Sequence, residues 1–325
     1  MYDVITVGSA TVDLFAHTEF SEQVHKKTRK GEAKLIAYPV GAKILINRFE
    51  VTTGGGGTNV AVALRRLGYK VAWFGKMGKD ENGDIILREL MREKVRCLGV
   101  RGEGNSGYSV ILDSKEHDRT ILAYKGLNDE LKSDEVPWRT LRHTRWFYFS
   151  SMVGESYKSL EKIAEFAAGR RISIAFNPSL YQAKEGAKRL RRVLSSTTIL
   201  ILNREEAKCL VRGAEPASLA KSLTALGPEI AVVTDGKKGA WCYQLGNAYH
   251  ITPPKVKVVE TTGAGDAFGA GFLAGFIKRA DITLALKMGQ ANASSVIQYH
   301  GAKNKLLTEK EALLAMERLE VRRVR

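Results

Sequence analysis

The chain has 325 residues, 44% hydrophobic and 26% charged, which is enough for one large core with or without a smaller attachment. A formal charge of +16 suits an anionic partner but does not choose between a nucleotide, a sugar phosphate, nucleic acid and a membrane surface. No apolar run approaches the roughly 20 residues that cross a bilayer, and Cys97, Cys209 and Cys242 form no metal pair or disulfide framework. A cytoplasmic protein with reduced, buried thiols is expected. Its basic residues are scattered over helical faces (Lys184, Lys188, Arg189, Arg191, Arg192), a loop (Lys26, Lys27, Arg29, Lys30) and the tail (Arg318, Arg322, Arg323, Arg325), as in a solvated surface.

The chain opens on a strand-like run, Val4, Ile5 and Val7, leading into Val7-Gly-Ser-Ala-Thr-Val-Asp13; read alone, Asp13 is a solvated residue at a strand end. Residues 14–52 then show strand-like segments, Lys34–Ala37 and Ile44–Thr52, without helices between them. Next comes Thr53-Gly-Gly-Gly-Gly-Thr-Asn-Val60, joining a strand to a helix predicted over Asn59–Leu67. It lacks both the GxxxxGK[ST] of a P-loop and the acidic partner of a dinucleotide fingerprint. Bare glycines such as Gly55 and Gly56 let a polyol approach the backbone, and Asn59 can donate to and accept from its hydroxyls; a purely structural tight turn is the plainer reading.

Further on, Val71–Phe74, Trp146–Phe149, Ile172–Phe176, Thr198–Leu202 and Ile230–Thr234 are compact apolar runs of the kind covered on both faces. Helical spacing at Asp84–Glu93, Ser156–Ala168, Glu185–Leu194, Arg204–Val211 and Ala217–Leu226 fits between them, giving βαβ units around a mainly parallel sheet. The alternation breaks again at 106–124, where Tyr108–Asp113 and Arg119–Tyr124 read as strands. The two breaks divide the chain into an α/β catalytic domain (1–13, 53–105 and 125–325) and a β-rich lid inserted in two pieces (14–52 and 106–124). A lid would cover a site at the strand ends; an edge extension of the main sheet is the alternative. A lid face carrying Leu35, Ile44, Ile46 and Phe49 calls for a second copy, so a homodimer through the lid is expected.

Three strand-to-helix junctions follow. Asn177-Pro-Ser179 stands at one strand end and can line the same cleft. Asn203-Arg-Glu-Glu206 follows another, where Asn203 as N-cap and Glu206 in the first turn would stabilise a helix by themselves. The third, Val258-Val-Glu-Thr-Thr-Gly-Ala-Gly-Asp-Ala-Phe-Gly-Ala-Gly-Phe272, reads as strand, small-residue turn and helix. Gly263, Ala264 and Gly265 leave N–H groups uncovered where the helix beginning near Asp266 presents its positive end, a place for a phosphoryl group. Asp266 can there accept a hydroxyl proton, or simply cap the helix.

Glu260-Thr-Thr-Gly-Ala-Gly-Asp266 resembles the C-terminal signature of the ribokinase-like (phosphofructokinase-B type) carbohydrate and nucleoside kinases. Thr53–Gly68 resembles that family's glycine motif, Val7–Asp13 its opening segment, Gly75–Gly83 its next loop and Asn203–Glu206 its Asn-x-x-Glu element, all in family order. The resemblance implies a three-layer α/β/α sandwich with a mainly parallel central sheet and a small β-sheet lid. It implies Asp266 as general base, Gly263-Ala264-Gly265 as anion hole, and Asp13, Gly55, Gly56 and Asn59, with Asn177 nearby, on the acceptor side. It sets ATP against Asn203, Thr234, Gly236, Gly239 and Asn292, and Mg²⁺ beside Glu206 through water. The family signature starts with aspartate where this chain has Glu260, in a loop with Thr262 that would hold a monovalent cation. The expected activity is phosphoryl transfer from ATP to a hydroxyl of a sugar or nucleoside. A sugar-phosphate kinase, with ADP as donor in one version, is the alternative; Lys43, Arg48, Arg119 and Lys125 are its candidate phosphate contacts. A nucleic-acid-binding protein on a kinase fold is disfavoured, because Asp266, the anion turn and Asn203/Glu206 are all retained.

Overall fold

The computed structural model describes residues 1–20, 22–28, 31–113 and 119–324; Ser21, Arg29, Lys30, Arg325 and positions 114–118 lie outside the described residues. Side chains alternate along the first strand, Tyr2–Val7, and its neighbour Thr144–Phe149. Val4, Trp146 and Tyr148 enter one apolar layer, whereas Ile5, Val7, Phe147 and Phe149 enter the other. Each such apolar side chain taken from water stabilises the fold by about 1.5–3 kcal/mol, which is why runs without a polar face become central strands.

Helices Gly56–Arg66, Glu81–Arg92, Ala264–Arg279 and Ile282–Val296 cover the first face; Gly154–Ala168, Gly186–Leu194, Arg204–Leu210 and Pro216–Thr224 cover the second. This is a three-layer α/β/α sandwich. Its sheet runs in the order Val321–Val324, Asn247–Ile251, Ala240–Gln244, Ile230–Thr234, Ile199–Asn203, Ser173–Phe176, Thr144–Phe149, Tyr2–Val7, Val71–Phe74 and Arg96–Cys97. Pairing is parallel from Ile230–Thr234 to Arg96–Cys97 and antiparallel at the opposite edge.

A second sheet orders Arg119–Tyr124, Gly107–Asp113, Thr11–His17 and Arg48–Gly54. The two β-rich excursions therefore meet, through the parallel pairing of Gly107–Asp113 with Thr11–His17. Thr11–His17 lies wholly in this small sheet, so the border expected after residue 13 falls inside a strand and Asp13 belongs to the small sheet. Lys34–Ala37 pairs elsewhere: Gly31–Ala37 and Glu22–Thr28 form a separate hairpin. Ile44–Asn47, expected in a strand, has no ladder partner. It is a loop tied down by the Asn47 N–H on the His17 carbonyl at 2.9 Å and the Thr18 hydroxyl on the Leu45 carbonyl at 2.9 Å.

Three further expectations change. Val258–Glu260 is not a strand but an extended connection, with the Val259 N–H on the Ile297 carbonyl at 2.8 Å. The helix expected from Asn59 begins at Gly56, which brings Gly56 and Gly57 into its first turn. The thiols are free but not all buried: Cys242 is, Cys97 is half-buried and Cys209 is exposed. Among the described residues, no helix is long and apolar enough to cross a membrane.

Candidate active site

A cavity of about 330 Å³ opens at the carboxyl ends of the parallel strands, where an open α/β sheet leaves a crevice. Ser9, Ser150, Asn177, Asn203 and Thr234, each at or just past a strand end, line it together with Gly56, Glu206, Gly263, Gly265 and Asp266. Gly263 is the N-cap of the helix Ala264–Arg279, with φ 76°, and a Cβ there would fall 2.5 Å from that of Ala302. Only glycine fits both demands. Asp266 is consequently the third residue of the helix and not its cap: its Oδ2 accepts from Asn59 Nδ2 at 2.8 Å.

The Ala264 N–H already donates to the Thr261 carbonyl at 3.2 Å, which leaves the amides of Gly265 and Asp266 as first-turn donors without an intrahelical acceptor. Gly265 has open space where a side chain would be. Burial raises the Asp266 carboxyl above the usual aspartate range; the Asn59 hydrogen bond and the charge of Lys303 oppose this, and the charge of Asp13 adds to it. Such a carboxylate is a stronger proton acceptor than a solvated one.

On the acceptor side the glycine run lies against the turn after the first strand. Gly55 has φ 90°, and a Cβ there would come 2.5 Å from the Ser9 carbonyl oxygen; at Gly54 it would meet Asp13 Oδ2 at 2.0 Å. Asp13 is buried behind Gly54 and does not line the cavity; the Thr11 hydroxyl donates to its Oδ1 at 3.1 Å. Burial raises its carboxyl too. Asn59 Oδ1 and Ser150 Oγ are buried without a hydrogen-bond partner, a state that costs energy unless a ligand hydroxyl completes it.

On the donor side Asn203 and Glu206 close a reciprocal capping box at 2.9 Å each way. Burial, with the charge of Asp266, raises the Glu206 carboxyl. One Glu206 oxygen is held by the Asn203 N–H while the residue still lines the cavity, and no group of three or more His, Cys, Asp or Glu is poised for a metal among the described residues. That donor set fits Mg²⁺ held mostly by water and phosphate oxygens. Asn177 Nδ2 donates to the Ile201 carbonyl at 2.6 Å, locking the residue at the cavity wall. Gly236 and Gly239 shape the turn after Thr234 without lining the cavity. Asn292 is a correction: it is fully buried, its Nδ2 donates to the Ala267 carbonyl at 2.9 Å and its Oδ1 accepts from the Leu307 N–H at 3.0 Å. It ties its helix to Ala264–Arg279 and to the chain at Leu307, and does not line the cavity. Glu260 accepts from the Gly301 N–H at 2.9 Å and from the Thr262 hydroxyl, so its carboxylate oxygens are engaged within the protein and no step is assigned to a monovalent cation there.

Sequence reasoning missed Lys303. Its Nζ is buried and donates to Glu89 Oε2 at 2.6 Å, Thr53 Oγ1 at 2.8 Å and Thr58 Oγ1 at 3.2 Å, pinning both flanks of the glycine run. Burial lowers its ammonium, which Glu89, Asp13 and Asp266 oppose. A basic residue in a basic chain carries no signal of burial; its neighbours Gly301 and Ala302 are the only local hint. Of the four basic residues proposed as phosphate contacts, Lys125 is the one whose described side chain lines the cavity. Lys43 is exposed, Arg48 donates to Glu50 at 2.8 Å, and the Arg119 side chain lies outside the described residues.

A family model described as pfkB family carbohydrate kinase matches residues 3–309. A sugar kinase of Archaeoglobus fulgidus is 33% identical over 250 residues, covering 75% of this chain and 98% of that protein. A ribokinase of Bacillus subtilis is 28% identical over 319 residues, covering 96% and 98%. The solved ribokinase of Arabidopsis thaliana, complexed with ribose and ATP, superposes with a TM-score of 0.78 at 20% identity, covering 97% of this chain and 99% of that one. With a family model spanning nearly its whole length, and the two glycine turns joined at Asp266, the chain belongs to the pfkB family of carbohydrate kinases, phosphotransferases that act on an alcohol group.

Proposed function

We propose that the protein transfers the terminal phosphoryl group of ATP to a hydroxyl of a carbohydrate or nucleoside bound between the glycine run and Asp266. The observation that carries this reading is the Asn59–Asp266 hydrogen bond, which fixes a half-buried carboxylate beside Gly56 at the mouth of a helix N-terminus. The acceptor hydroxyl gives its proton to Asp266 and attacks the phosphorus; ADP leaves with the bridging oxygen and its electron pair. Amides of the Gly263-Ala264-Gly265 turn, with the positive end of the helix, stabilise charge on the transferring oxygens, Gly265 directly and Ala264 only after releasing the Thr261 carbonyl. Asn59 Oδ1 and Ser150 Oγ hold the acceptor, and Asp13 backs the glycine run from behind Gly54. Asn177 lines the cavity next to the acceptor, Asn203 and Thr234 border the nucleotide, and Glu206 would hold Mg²⁺ through water, supplying charge neutralisation on the phosphates.

The small sheet acts as lid and dimer surface in this reading. Asp13 lies on the face with Ser109 and Thr52, whereas Phe49, Val51, Leu122 and Tyr124 fall on the opposite face and are 58%, 47%, 55% and 45% exposed. An apolar stripe on the side away from the acceptor suits a second copy of the chain.

The test is a screen of ATP and ADP against sugars, nucleosides and sugar phosphates with wild-type and Asp266→Asn protein. Turnover is expected with at least one pair and should fall by ~10² or more in the variant, with nucleotide binding retained. Near-wild-type turnover of Asp266→Asn would remove the assigned base.

A further inference from the structure

The cavity is lined by two carboxylates, Asp266 and Glu206, and among its described lining residues by one cation, Lys125. Lys125 leaves the small sheet after the strand Arg119–Tyr124 and enters the turn Gly126–Asp129. Asn128 of that turn straps it to the acceptor wall. Its side-chain amide accepts from the Ala10 N–H at 2.9 Å, donates to the Ala10 carbonyl at 2.8 Å and donates to the Lys125 carbonyl at 3.1 Å. Ala10 sits between Ser9, which lines the cavity, and Thr11, whose hydroxyl holds Asp13. The donor-side residues Asn203 and Thr234 end strands separated from the first strand by two and three others in the sheet, respectively. Lys125 therefore stands on the acceptor half.

Its head group is held but not neutralised. Nζ lies 5.2 Å from the centroid of the Tyr181 ring, which also lines the cavity, and no carboxylate bonds it among the described residues; Asp129 feels its charge at longer range. A ring face attracts an ammonium without using its N–H groups, so these remain for a ligand. The surrounding wall supplies hydroxyls: Ser150 Oγ is buried without a partner, and Ser151 and Ser179 share a hydrogen bond at 2.6 Å. Hydroxyls and amides are enough to bind a neutral polyol. An ammonium that no carboxylate bonds directly instead matches an anion, and the phosphates of the donor already have the glycine turn before Asp266.

We propose that Lys125, held by Tyr181, binds a negatively charged group of the acceptor, which makes the acceptor a sugar acid or a sugar phosphate in preference to a neutral sugar or nucleoside. This rests on the kinase reading above for its chemistry, since the anion is recognised at a distance from the hydroxyl that is phosphorylated. Carboxylate and phosphate present the same anionic oxygens to an ammonium, and the acceptor panel tells them apart.

Initial rates at saturating ATP would compare D-glucose with D-gluconate and D-glucose 6-phosphate, and D-ribose with D-ribose 5-phosphate. One anionic class should exceed its neutral parent by ~10² in kcat/KM, and Lys125→Ala should bring that ratio toward one mainly through the acceptor KM. Lys125→Arg should keep part of the preference, and the KM for ATP should hold in both variants. Equal use of neutral and anionic acceptors by the wild type overturns the proposal. So does a Lys125→Ala variant that raises the KM for ATP, or that lowers kcat equally for every acceptor, because the lysine would then serve the transferring phosphoryl group. Calorimetric titration of D-gluconate and inorganic phosphate into wild-type and Lys125→Ala protein gives a readout independent of turnover. Binding that is weaker in the variant supports the anion site, and equal binding of both probes to the two proteins sinks it. Lys125-dependent binding with no phosphorylation of any acceptor would fail the kinase reading at Asp266 while leaving the anion site standing.

Discussion

Asp266 carries a conflict between stability and chemistry. Burial makes its folded-state carboxyl hold a proton to higher pH than in the unfolded chain, so stability present at low pH is lost as pH rises from the ordinary carboxylate range through the raised value. Asp266→Asn has no such loss. The melting temperature of the wild type relative to that variant should therefore fall across this window, and a constant difference would contradict the assigned burial effect. As the proposed base it must be ionised to act, so the acid limb of kcat/KM should lie above the usual aspartate range, as a pH–rate profile would show. Asn59→Ala should raise the acceptor KM and lower kcat together, because it loses both a hydroxyl contact and the bond that aims Asp266; unchanged kcat in two-substrate kinetics would limit Asn59 to binding. The Asp266 turn was legible in the sequence because a left-handed glycine, a helix start and a carboxylate lie within four consecutive residues. Asn292 was misread for the converse reason: an amide on a helix looks the same whether it meets a ligand or, as here, two backbone groups of its own protein.

The central strands and their covering helices were legible because an apolar run buried on both faces has few other fates. The small sheet was less so. Its outer strand Arg48–Gly54 was drawn from Ile44, since the apolar run Ile44–Ile46 continues upstream of the ladder and only the pairing with Thr11–His17 shows where the strand begins. The same register divides the sheet into an Asp13 face and a stripe of Phe49, Val51, Leu122 and Tyr124. Phe49→Asp or Leu122→Asp should turn a dimer into a monomer by light scattering without unfolding it, because the introduced charge is desolvated only on association. Acceptor binding should slow hydrogen exchange in Thr11–His17 and Gly107–Asp113 if the sheet closes; unchanged protection at saturation would leave it as a fixed wall.

Lys303 acts at the scale of the whole molecule, since its ammonium joins Glu89, Thr53 and Thr58 to a loop more than 200 residues further along the chain. Lys303→Met takes the buried cation from Glu89, which keeps Arg92 at 3.6 Å and the Thr53 hydroxyl, and should lower stability in denaturant unfolding by less than the ~3–5 kcal/mol of a fully orphaned buried charge. Glu89→Gln in the same chain should return part of that loss; simple additivity of the two changes would show that the pair is not coupled. The Asn59–Asp266 bond spans a similar distance, 207 residues. During synthesis Asn59 of the glycine run precedes its partner Asp266 by 207 residues and the buried cation Lys303 by more than that. Until then Glu89 and Asp13 have no internal counter-ion from Lys303, and the first helix lacks the C-terminal pair Ala264–Arg279 and Ile282–Val296 that completes its apolar layer. A nascent chain of this protein must consequently carry an unfinished face until Lys303 has emerged, and no fragment that ends before it holds Asn59, Asp266 and Lys303 together.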